Sequence, residues 1–89
     1  MENITYYLLK DTKIERLGID VGLEALQEAV GGYIESIYPC GEYKVAYCNE
    51  EGKLQGLKTN VLASGLLNKV IVGPVVLGMM GNKTWMPSQ

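Results

Sequence analysis

The sequence predicts an α+β fold: a small antiparallel sheet with two helices on one face. Three observations carry this. Runs of β-branched and aromatic residues alternate with two stretches of helical apolar period. Glycine-rich turn strings separate them. The chain has 89 residues, 47% of them hydrophobic and 20% charged, which suits one packed core and no disordered composition.

Ile4-Thr5-Tyr6-Tyr7-Leu8-Leu9 is rich in β-formers and predicts the first strand, closed by the polar break Lys10-Asp11-Thr12-Lys13. Residues 14–19 read as an extended return segment. Asp20 offers an N-cap to a first helix whose stripe is Leu23, Leu26 and Val30, and Gly31-Gly32 ends it, Gly31 suiting the left-handed position that a Cβ disfavours. Residues 33–38 alternate as a strand, with Ile34 and Ser36 on one face and Tyr33, Glu35 and Ile37 on the other. Residues 43–49 alternate likewise and pair with it across a turn at 39–42. The reversal Glu51-Gly52-Lys53 leads to a short third partner strand at 54–57. Thr59 or Asn60 then caps a second helix running to about Asn68, and residues 70–77 form a buried strand in which Pro74 marks a bulge or an edge.

The order is β-α-β-β-α-β, the split βαβ or ferredoxin-like pattern. Pairing of 14–19 with the first strand, or a short strand at 54–57, alters the strand order. Residues 1–77 constitute the single domain, and 78–89 a tail whose Met79, Met80, Trp85 and Met86 suit an oligomer contact.

Composition narrows the chemistry. There is no histidine and the net charge is -2. Arg16 is the single arginine, so neither a Cys-His pair nor a basic stripe for duplex nucleic acid is expected. Strand pairing sets Cys48 opposite a residue near Glu35 and leaves Cys40 beside the turn, too far apart for a disulfide; both are expected as free thiols. The acidic start at Met1-Glu2-Asn3-Ile4 lacks the charged and apolar regions of a secretory leader, and no run approaches a bilayer span, so the expectation is a cytoplasmic protein without membrane contact. Gly52-Lys53 and Gly81-Asn82-Lys83-Thr84 both lack the spacing of a phosphate-binding P-loop.

Polar side chains converge near the helix C-cap and the turn at 49–53. Gln27 borders the apolar stripe, where its amide must find partners. Glu35 shares a sheet face with Cys48 and lies near Glu50. These two carboxylates can act as acid and base, hold a hard cation, or remain solvated charges. Asn49 to Lys53 is either a simple hairpin loop or a set of amides that receives an anion or a nucleobase edge. The candidate ligand-binding residues are therefore Gln27, Tyr33, Glu35, Asn49, Glu50 and Asn60, with no catalytic residue, metal or cofactor expected.

Leu26-Gln27, Val30-Gly31-Gly32, Ile34-Glu35, Asn49-Glu50-Glu51-Gly52-Lys53, Gly56-Leu57, Asn60, Ala63 and Ile71-Val72-Gly73 together resemble a small uncharacterised family, a domain of unknown function associated with phages, plasmids and Gram-positive bacteria. The resemblance spans roughly residues 20–77. Lys58 stands where that pattern commonly has proline, and no arginine follows Asn60, so no phosphate-binding role carries over. It implies a compact α+β fold and a mobile-element origin. A small non-catalytic, homo-oligomeric binding protein of the host cytoplasm follows as the expectation, counteracting host defence by sequestering a nucleotide-type ligand. The alternatives are a stoichiometric inhibitor of a host protein and a carboxylate- or metal-dependent enzyme.

Overall fold

The computed structural model describes residues 3–37 and 44–80. Their order is β1 (Ile4–Lys10), β2 (Lys13–Ile19), α1 (Leu23–Val30), β3 (Ile34–Ser36), β4 (Lys44–Asn49), α2 (Val61–Leu67) and β5 (Val75–Met80). The strands form one sheet in the order β2-β1-β5-β4-β3, and all neighbours are antiparallel. The last strand in sequence is thus the central one in space.

Side chains alternate across a strand, so the core divides between the two faces of the sheet. On one face Leu9, Ala46, Val75, Leu77 and Met79 pack with Ala63 and Leu67 of α2. On the other, Tyr6, Leu8 and Val76 pack with Leu26 and Val30 of α1. Each helix contributes two buried residues four apart, which project from one side of a helix. The helices therefore lie on opposite faces. Covered on both sides, β5 is apolar along its whole length instead of alternating with polar residues.

Several expectations change as a result. Residues 14–19 belong to a full strand, β2, hairpin-paired with β1, so the element order is β-β-α-β-β-α-β instead of β-α-β-β-α-β. The two helices do not share a face, and the split βαβ arrangement is not matched: it sets one strand between the two parallel strands that a helix joins, whereas here the strands flanking α1, β2 and β3, stand at opposite edges with three strands between them, and those flanking α2, β4 and β5, are antiparallel neighbours. Residues 54–57 form no strand: Gln55 N donates to Glu51 O and Leu57 N to Gly52 O, so the backbone closes on itself in successive turns. Pro74 precedes β5 and costs the ladder no donor. The boundary expected at residue 77 falls inside β5, which puts Met79 in the core and not in a tail contact. Trp85 and Met86 lie outside the described residues, as do Cys40 and the turn at 39–42.

Helix ends follow local chemistry in three cases of four. Gly31 sits at φ 81° at the end of α1, and its N–H and that of Gly32 both donate to Gln27 O. Asn60 caps α2, and Asn68 closes it at φ 56°. The exception is the start of α1, where Gly22 is the N-cap and no side chain bonds there. Asp20 instead clasps the first hairpin: its Oδ1 accepts from Ile4 N at 2.8 Å and its own N–H donates to Ile4 O. Leu23, expected on the buried stripe, is exposed, and Leu26 and Val30 alone are buried on α1.

Gly78 lies mid-strand in β5, where a Cβ would meet Val45 Cγ2 at 2.7 Å, Ile4 Cγ2 at 2.8 Å and Tyr6 Cε1 at 2.9 Å. Those neighbours fill the space a side chain would need. Gly78→Ala should therefore destabilise by about 1–3 kcal/mol through overpacking. Urea denaturation of the purified variant checks this, and an unchanged midpoint would contradict the packing described.

Candidate functional site

The short α2 packs on β1, which leaves the β4–β3 side of its face without a helix. There the turns after β4 and the segment following α2 enclose an open pocket of about 390 Å³. Its walls combine Glu35 from β3, Cys48 from β4, Glu50 and Lys53 from the turns, and Lys69 from the return segment. Ile37, Ile71 and Val72 supply apolar surface, while Leu54 and Val70 stand at 87% and 74% exposure. Charges of both signs thus surround an apolar base.

Local structure explains how these groups meet. The β3–β4 register pairs Glu35 with Cys48 and Ile34 with Asn49. Glu50 N donates to Tyr33 O, which holds the start of the turns against β3. Gly52 is buried, and a Cβ there would lie 3.0 Å from Val72 Cγ2, so the turn rests directly on the segment that follows α2. That segment is held by Ser64: Ile71 N donates to its Oγ at 2.9 Å, and the Oγ donates to Ile71 O.

Of the six residues expected to bind ligand, the structure brings Glu35, Asn49 and Glu50 to this pocket and places Gln27, Tyr33 and Asn60 elsewhere. Gln27 lies on α1, across the sheet. Tyr33 is 69% exposed, just before β3. Asn49 is buried, its Nδ2 donating to Val30 O at 3.1 Å and its Oδ1 accepting from Glu51 N at 2.7 Å, so its amide joins the end of α1 to the turn. Asn60 is 1% exposed and engaged three times: Nδ2 donates to Leu9 O and Gly73 O, both at 2.8 Å, and Oδ1 accepts from Ala63 N at 3.0 Å.

Lys53 was legible as the tip of a turn. Lys69, Val70, Ile71 and Val72 were not, since their β-branched run suggests a strand. The one local signal of a break is Asn68-Lys69, a polar pair directly before that run.

Burial pushes the Cys48 thiol above its ordinary value, and the Glu35 carboxylate beside it adds to the shift. Both effects disfavour the thiolate, so Cys48 is a poor nucleophile at neutral pH. Among the described residues, no group of three or more Cys, Asp or Glu is placed to hold a metal ion. No helix among them is long and apolar enough to cross a membrane.

A family model described as a domain of unknown function, DUF3846, matches residues 4–84. The chain belongs to the DUF3846 family. The match takes in both hairpins, both helices and β5, and so extends beyond the resemblance seen at residues 20–77. No curated protein and no solved structure matches the chain.

Two outcomes test the roles assigned within this DUF3846 domain. Asn60→Ala removes a helix cap and strips two carbonyls of their partner, so stability should fall by roughly 2–5 kcal/mol in urea denaturation. A loss below about 0.5 kcal/mol would remove Asn60 from the structural role given to it. For Cys48, alkylation by iodoacetamide should have a pH midpoint above the ordinary thiol value of 9.0. Glu35→Gln should lower that midpoint without bringing it below the ordinary value, because burial remains. Since the unfolded thiol ionises first, Cys48 also contributes stability that is complete below pH 9.0 and is lost as pH rises through its higher folded value.

Proposed function

We propose that the protein is a small non-catalytic binding protein of a phage or other mobile element, which counteracts host defence by sequestering a nucleotide-type ligand in the pocket between β3, β4 and the turns. The pocket itself supports this most directly. About 390 Å³ with lysines, carboxylates and apolar surface suits a ligand that combines a flat apolar ring, an anionic group and hydrogen-bond donors. Lys53 and Lys69 offer charge to the anionic part. Ile37 and Ile71 offer surface for the ring, and Glu35 and Glu50 accept from its donors.

A non-catalytic role fits the residues present. The chain has no histidine, and the thiol in the pocket is held in its protonated form. The mobile-element setting rests on the resemblance alone. One feature favours the second reading, a stoichiometric inhibitor of a host protein: Leu54, Val70 and Tyr33 expose large apolar side chains at and near the pocket rim, as surfaces that dock proteins do.

Protein purified from a producing host and then heated should release an ultraviolet-absorbing small molecule, identified by mass in the filtrate. Lys53→Glu should weaken its rebinding by about tenfold, since an attraction becomes a repulsion at the same place. If nothing is released and no nucleotide binds at millimolar concentration, the sequestration reading fails.

A further inference from the structure

We propose that the outer edge of β3 is a docking site for an extended peptide of a partner protein, which adds as a sixth strand and sets a basic side chain against Glu35. Among the described residues β3 ends the sheet and its outer edge pairs with no strand. Ile37 N donates to Ala46 O at 2.9 Å and Glu50 N to Tyr33 O at 3.0 Å, so the residues bonded inward to β4 are Tyr33, Glu35 and Ile37. Antiparallel pairing alternates, and Ile34 and Ser36 therefore aim their N–H and C=O groups outward. Two donors and two acceptors stand in the spacing that an added strand matches.

The side chains select the occupant. On an added antiparallel strand bonded through Ile34 and Ser36, the residue opposite Glu35 occupies the close, non-hydrogen-bonded position, where side chains approach most nearly. Glu35 is exposed at the edge strand and is the side chain directly opposite that position, so an arginine or lysine there pairs with it, although the pocket it lines holds Lys53 and Lys69 as well as Glu50. Two residues along, the exposed ring of Tyr33 offers an apolar neighbour. The matching peptide alternates, with a basic residue followed on the same face by an apolar one. A second copy of this chain is disfavoured at the same edge: two β3 strands bonded antiparallel through Ile34 and Ser36 place Glu35 against Glu35, a like-charge pair. The opposite edge differs. β2 carries Lys13, Glu15 and Arg16 and a register shift in its pairing with β1, features that blunt a strand edge. β3 carries no lysine, proline or bulge.

This inference goes beyond the sequestration reading and stands or falls separately, because it requires the edge and Glu35 and no bound small molecule. The test titrates the isotope-labelled full chain with a short blocked peptide, threonine and valine alternating around a central arginine, and with its glutamate-centred counterpart. The Ile34 and Ser36 amides should shift and exchange more slowly with solvent. The arginine peptide should bind at least about threefold more tightly, and Glu35→Lys should invert that preference. Ser36→Pro removes an outward donor that β4 does not use, and should abolish binding with the melting transition retained. Lys53→Glu should leave peptide binding unweakened, which separates failure of the edge from failure of the pocket ligand. No protection of Ile34 and Ser36, equal affinity for both peptides, or self-association of the free protein through this edge would each overturn the proposal. Should Ser36→Pro not fold, the wild-type exchange data and the Glu35→Lys inversion decide alone.

Discussion

One buried amide fixes α2 against the end of β1 and the approach to β5. Asn60 bonds to the end of β1 through Leu9 O, to the approach to β5 through Gly73 O, and to the first turn of α2 through Ala63 N. These partners lie 51, 13 and 3 residues from Asn60 along the chain, and a side chain that satisfies all of them defines their mutual position. Leu62 N donates to Asp11 O, and the bridge between Thr59 and Val72 closes the other side. Each added bond costs little further entropy once Asn60 has brought the segments together. Leaving the same carbonyls unpaired in the interior would cost about 1–3 kcal/mol apiece.

The open pocket is a consequence of this anchoring. Tied to the end of β1 by its first turn, a helix of seven residues cannot also cover β4 and β3. That half of the face is walled by turns that carry Glu50 and Lys53 and by the segment after α2, which adds Lys69 and the apolar Val70, Ile71 and Val72. On the other face α1 reaches β3, β4 and β5 and packs Leu26 and Val30 against the sheet. Both proposed interactions therefore lie at one corner of the molecule, where the sheet ends and its covering helix does not reach.

How much of this was legible in the sequence differed by element. The β3–β4 pairing, with Glu35 near Cys48, followed from alternation, and Gly31 and Asn60 announced their helix ends by residue type. Residues 54–57 did not behave as a strand because their hydrogen bonds close locally in turns, a choice invisible in a short run with mixed character. Asp20 illustrates the same limit. Its side chain can cap a helix or clasp a hairpin, and the backbone of Ile4, brought close by β1–β2 pairing, offered the nearer donor. Among the candidate site residues, Asn60 was legible as a helix cap and Asn49 as part of a turn, while the backbone groups that their amides bond emerged only from the packed structure.

The sequence alone determined the α+β class and the helix ends at Gly31, Asn60 and Asn68, because periodicity, left-handed positions and capping depend on residues within a turn or two of one another. It also determined that histidine chemistry is unavailable to this chain. Tertiary structure decided which face each helix takes, that β5 enters the centre of the sheet, and which polar groups meet at the pocket. Those outcomes depend on contacts across the chain, such as Asn60 with Leu9 and Gly52 with Val72, whose energies exist only after distant segments have come together.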